Sequence, residues 1–220
     1  MAFILSEVDV ATDFAELMSC MWAAHESPPQ PFFRLFCPIL HADRDASLRE
    51  STARFAAWHQ HDAHARWLKV TEAASGRIVG AAWYKIYEAD PFAQGEDEDE
   101  VADWYPEDST REFATQAIAQ MERPRVEKGR RPQVFLNILF THPGYRRRGI
   151  GSMLLEWGLQ TAKDLGVEVW LNATPQGKPL YEKYGFEVVV RNPLVPTTVR
   201  PDAKWSQIEQ EMGEIVFWTM

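Results

Sequence analysis

The stretch Leu139–Val189, LFTHPGYRRRGIGSMLLEWGLQTAKDLGVEVWLNATPQGKPLYEKYGFEVV, decides the fold. It follows a β-rich run, Gln133–Thr141, and breaks that strand at Pro143 and Gly144. Apolar periodicity then predicts a helix over Gly149–Leu165, a strand over Val167–Asn172, a short helix over Lys178–Tyr184 and a strand over Phe186–Val190. The order is β-α-β-α-β. Gly149 and Gly151 at the mouth of the first helix let a ligand approach the backbone, and the free N–H groups of a first turn suit an anion. Arg146, Arg147 and Arg148 add charge-assisted donors, so a pyrophosphate would fit; the same pattern also suits an ordinary helix start beside a basic surface. No GxxxxGK[ST] is present, and Leu154 replaces the third glycine of GxGxxG, which excludes a P-loop and a Rossmann fingerprint.

Upstream, Phe3–Val8 reads as a strand and Val10–His25 as a helix carrying Phe14, Leu17, Met18 and Met21 on one face. Pro28, Pro29 and Pro31 stop that helix, leaving Phe32–Pro38 as a loop or short helix able to shape a pocket. A second helix fits Ala46–His61. Arg66–Thr71 and Ile78–Tyr87 form a hairpin turned at Gly76. Residues 89–131 interrupt the regular pattern with an acidic run, four prolines counting Pro132 and one helical stretch near Ser109–Glu122, and read as an insertion. The tail GEIVFWTM adds a last strand. Seven strands and about five helices predict one α/β domain over 1–220, a mixed sheet covered by helices on both faces.

The 220 residues are 45% hydrophobic, enough to bury a substantial core, and no run approaches the ~20 apolar residues of a membrane span. Glu7 and Asp9 arrive too early for a signal peptide, so a cytoplasmic protein is expected. The net charge is −9, but ten of the 32 acids lie between Glu88 and Asp108, leaving 22 acids against 23 bases elsewhere. The acidic run opposes nucleic-acid binding. It reads as a solvated loop or a recruiter of cationic amines. Cys20 and Cys37 read as buried small groups; neither they nor the HQHDAH run (His59, His61, His64) suggests a metal.

The run HPGYRRRGIG resembles motif A of the GCN5-related N-acetyltransferase (GNAT) superfamily, whose [RQ]-x-x-G-x-[GA] pattern matches Arg146, Gly149 and Gly151; LYEKYGF is similar to the end of its motif B. The resemblance covers Gln133–Val190. It implies a GNAT-like fold, with a mostly antiparallel seven-stranded sheet splayed between strands 4 and 5. It further implies direct acetyl transfer from acetyl-CoA to an amine by a monomer or homodimer, with a noncatalytic acyl-CoA-binding module as the alternative. On this resemblance Leu139 and Thr141 would pair with the pantetheine arm. Leu139 or its neighbour would also donate to the oxyanion. Arg146, Arg147, Arg148, Gly149, Ile150, Gly151 and Ser152 would hold the phosphates, and Asn172 would hydrogen-bond the pantetheine amides. Tyr181, rather than Tyr184, would return a proton to the departing thiolate. The base is open: Val134–Leu139 holds Asn137 but no acid, which leaves water, Glu88, Asp90 or the acidic segment. His142 is expected to cap or pack its turn.

Overall fold

The computed structural model describes residues 2–40, 43–93 and 101–220; the EDEDE run lies outside them. The chain forms β1 (Phe3–Glu7), α1 (Val10–Glu26), α2 (Arg44–His61), β2 (Ala65–Glu72), β3 (Ile78–Tyr87), α3 (Ser109–Lys128), β4 (Gln133–Thr141), α4 (Ile150–Leu165), β5 (Glu168–Ala173), α5 (Lys178–Lys183), β6 (Val190–Leu194), α6 (Ala203–Met212) and β7 (Ile215–Thr219). A 3-10 helix covers Pro31–Leu35, within the segment expected as a loop or short helix. The strand order is β1-β2-β3-β4-β5-β7-β6, and every pairing is antiparallel except β4 with β5. The seven-stranded mixed sheet expected from the sequence is present.

The chain divides into two compact units, the first comprising Met1–Gln30, His41–Ala89 and Pro132–Leu171 and the second Pro31–Leu40, Asp90–Arg131 and Asn172–Met220. In the first, β3 is buried continuously from Ile78 through Tyr84, as expected of a strand covered on both faces. Its odd positions face one layer of helices: Trp83 stacks on Trp67 at 5.4 Å and meets Phe55 of α2. Its even positions face α4, where Gly80 admits Ile150 and Tyr84 packs on Gly158. Leu17, Met18, Met21 and Trp22 of α1 are fully buried, and each large side chain contributes roughly 1.5–3 kcal/mol by leaving water. Trp22 still donates its indole N–H to Ser51 Oγ at 3.1 Å.

The second unit has its own core, in which Phe113, Ala117 and Ile118 of α3, Trp205 and Ile208 of α6, and Ile215 and Phe217 of β7 close around Leu35 and Tyr105. Two sequence expectations are corrected here. The strand placed at Phe186–Val190 is Val190–Leu194. Gly185, at φ +84, ends α5, and Phe186 folds back so that its N–H donates to Tyr181 O and its ring meets Tyr181 edge-on. α3 runs to Lys128 through Pro124, where the carbonyl of Gln120, left without an intrahelical donor, accepts from the Asn192 amide at 2.8 Å; α6 was not anticipated.

Candidate active site

Parallel pairing of β4 with β5 begins at Gln133 opposite Glu168 and ends at Leu136 opposite Leu171. The next residue, Asn137, is the extra one in a bulge against β3, where the register jumps from Ile138–Trp83 to Leu136–Tyr84. Beyond the bulge β4 keeps β3 on one edge only. The amide of His142 donates to Val79 O at 2.8 Å, and bonded positions alternate along an antiparallel ladder. Phe140 and Ile138 therefore bond toward β3, whereas Leu139 and Thr141 turn their backbone groups to the open edge.

The chain then enters a 3-10 turn at Pro143–Tyr145. His142 caps it as expected, its Nδ1 accepting from Gly144 N–H at 3.2 Å. Burial, with Arg77 and Arg146 nearby, holds the imidazole below its usual pKa. Tyr145 donates to Glu72 of β2 at 3.2 Å. Hydrogen bonds from Ser75 and then Tyr145 hold the Glu72 carboxyl below the usual range. Arg147 (φ 63) and Gly149 (φ 85) take left-handed backbone. A Cβ on Gly149 would meet nothing within 4 Å, so its requirement for glycine is conformational.

That turn delivers α4 without a cap. Asp9, Asp43, Asp108 and Asp202 each accept a backbone N–H at the start of α1, α2, α3 and α6, but Gly149 offers no side chain to α4. The first-turn N–H groups, from Ile150 through Ser152, keep their donor capacity, and the helix dipole adds positive potential. The guanidinium of Arg148 lies 5.3 Å from the Tyr145 ring centroid, while Arg147 is exposed. The sequence reading did not find what seats this helix. A Cβ on Gly80 would come within 2.6 Å of Ile150 Cγ2, and one on Gly158 within 2.5 Å of the Tyr84 ring, whose hydroxyl donates to Leu154 O at 3.0 Å. A glycine in the middle of an amphipathic helix was the available signal.

Leu139, Thr141 and Arg146–Ser152 thus follow one another along a single path in the first unit. Arg146 departs from expectation: its guanidinium donates to Ala24 O at 2.6 Å and to Ser27 O. Asn172 and Tyr181 belong to the second unit. There the Asn172 amide is engaged at both ends, donating to Glu122 at 3.3 Å and accepting from Thr219 Oγ1 at 2.9 Å. Tyr181 is 7% exposed, and its hydroxyl makes no hydrogen bond among the described residues. Burial pushes that phenol above its ordinary pKa. Asp90, one of the candidate bases, accepts from Phe92 N–H and lies 3.8 Å from Arg130. No helix among the described residues is long and apolar enough to cross a membrane.

A family model described as an acetyltransferase (GNAT) domain matches residues 114–188. The chain is 39% identical over 54 residues to the probable acyltransferase SID5 of Ajellomyces capsulatus, a match covering 24% of this chain and 40% of that protein. It is 36% identical over 55 residues to the uncharacterized N-acetyltransferase YafP of Escherichia coli (strain K12), covering 25% and 34% respectively. Each match therefore spans well under half of the curated relative. Among solved structures, an agmatine N-acetyltransferase mutant shares 18% identity over 99% of this chain and 98% of its own, with a TM-score of 0.60. A histone acetyltransferase HPA2 and related acetyltransferase from Corynebacterium glutamicum gives 18%, 99% and 96%, with a TM-score of 0.57. At such identities these likenesses speak for the fold. Residues 114–188 are thus similar to a GCN5-related N-acetyltransferase domain, and the solved structures share the fold of the chain.

Proposed function

We propose that this chain is a member of the GCN5-related N-acetyltransferase superfamily and moves an acetyl group from acetyl-CoA directly to a primary amine, of a small molecule or a peptide. The observation that carries the reading is the uncapped N-terminus of α4, opened by left-handed Gly149 and reached from a β4 edge that has left its parallel partner. Leu139 and Thr141 would pair with the pantetheine arm along that edge, and the N–H groups of Arg147 through Ser152 would hold the pyrophosphate, with the Arg147 and Arg148 side chains supplying charge. Asn172 would contribute through its backbone, since its amide is engaged.

Attack requires the neutral amine, whose pKa near ~10 means it must shed a proton. β4 carries no carboxylate, and we assign that proton to water. The nitrogen bonds to the acetyl carbon, a β4 N–H, that of Leu139, donates to the oxyanion, and the C–S bond breaks as the tetrahedral state collapses. Tyr181, kept protonated by burial, gives its proton to the thiolate, and the proton that the new nitrogen sheds as it becomes an amide restores the phenol.

The test is release of free CoA thiol on adding members of an amine panel to enzyme and acetyl-CoA. Turnover that depends on the amine, with kcat lowered about 10²-fold or more by Tyr181→Phe, is expected. Saturable acetyl-CoA binding without turnover on any amine would make the chain a noncatalytic acyl-CoA-binding module instead.

A further inference from the structure

Arg146 occupies the position that the family motif assigns to the phosphate-binding turn, yet its side chain reaches away from it. One guanidinium nitrogen donates to Ala24 O and another to Ser27 O, residues 122 and 119 positions earlier in the chain. Those carbonyls belong to the last turn and C-cap of α1, where a helix leaves acceptors without intrahelical partners and where its dipole favours a cation. The same turn is closed by Gln30 N–H donating to His25 O, and Glu26 there accepts a bidentate pair from Arg44, whose guanidinium also stacks on Trp22 at 4.8 Å. The end of α1 is therefore a built structure, and Arg146 is its link to the turn that opens α4. The next residue, Arg147, begins the left-handed backbone that aims the α4 donors.

We propose that Arg146 is a positioning residue that transmits occupancy of the α4 anion site to the C-terminal turn of α1, rather than a ligand of the phosphates. The inference rests on acetyl-CoA binding at that site. A cofactor that fixes the Arg147–Ser152 backbone also fixes the base of the Arg146 side chain, and through its two hydrogen bonds the carbonyls of Ala24 and Ser27. Ala24–Gln30 then becomes more ordered in the bound enzyme, although none of these residues touches a phosphate. A lysine in place of Arg146 keeps the charge but loses the fork that spans two carbonyls.

The experiment combines acetyl-CoA titration with hydrogen exchange on the full chain, for the wild type, Arg146→Lys, Arg146→Ala and Arg148→Ala. Wild type should bind and show at least threefold slower exchange at the amides of Ala24–Gln30 on saturation with acetyl-CoA. Both Arg146 variants should lose that protection when fully saturated, and Arg146→Ala should leave the slope of log Kd against log salt unchanged. Arg148→Ala should reduce the slope and keep the protection. The proposal is overturned if Arg146→Ala lowers the salt slope while Arg146→Lys restores affinity, the signature of a phosphate ligand, or if protection survives in both Arg146 variants. Absence of acetyl-CoA binding by the wild type would instead bring down the functional reading, and this inference with it. Circular dichroism of each variant separates these outcomes from misfolding.

Discussion

Tyr181 holds its proton because burial removes the water that would solvate a phenolate. A phenol whose folded pKa lies above its unfolded one stays neutral as pH rises through ~10, so it should impose no alkaline fall on kcat below that pH. A pH–rate profile for wild type and Tyr181→Phe checks this: the variant should be uniformly slower, not shifted. Gly149 is demanding for a different reason. Space for a side chain exists, but φ 85 strains any L-residue, and Gly149→Val should weaken acetyl-CoA binding about tenfold or more by re-aiming the donors behind it. Both residues were legible from the sequence, because a motif records which residue type stands at a position. Where a side chain points was not legible, as Arg146 and Asn172 show: each is turned to partners at least 47 positions away in the chain.

The element on which the proposed chemistry depends is α4, held to β3 by two glycines. In isolation, Gly158→Ala should stabilise a helix by about 1 kcal/mol. Here the new methyl would sit 2.5 Å from the ring of a fully buried Tyr84, and overpacking costs of about 1–3 kcal/mol should win. Urea denaturation should show Gly158→Ala destabilised in the wild-type background and stabilised once Tyr84→Ala has emptied the space, a sign reversal that identifies the contact. β4 stood out as an apolar run that is buried on both sides over Gln133–Leu136, and periodicity found α1, α2 and α4 because each buries one regular face. It misplaced β6, where Gly185 and the fold-back of Phe186 delay the strand, and it missed α6, where Trp205, Ile208 and Met212 supply a short apolar stripe among polar residues. It also ended α3 near Glu122, since a local rule cannot see that Asn192, 72 positions beyond Gln120, supplies the hydrogen bond that Pro124 does not.

Across the molecule, folding leaves several carboxylates ionised against partners. Asp13 lies 2.5 Å from Lys69, Asp62 2.9 Å from Lys85 and Asp108 2.6 Å from Lys204. In each case burial alone would raise the carboxyl pKa, but the lysine and local hydrogen bonds outweigh it and hold the group below its ordinary value. Folded pKa values below the unfolded ones mean stability present above about pH 4 and lost as pH falls through the folded values. Thermal unfolding should show Tm falling below that pH, with Asp13→Asn flattening part of the drop. Composition and charge conveyed this breadth of core and the local acidity. They conveyed nothing of which acid meets which lysine, because the Asp13–Lys69 pair spans 56 positions and exists only after the strands assemble.

The account turns on an acyl-CoA phosphate seated at the start of α4, and calorimetric titration with acetyl-CoA tests it most directly, run on the wild type and on Gly149→Glu with the fold of both verified by circular dichroism. One-to-one binding in the micromolar range, weakened by at least two orders of magnitude in Gly149→Glu, is the predicted result. A wild type that releases no heat and gains no thermal stability with acetyl-CoA, or a folded Gly149→Glu that binds as tightly as the wild type, would contradict it.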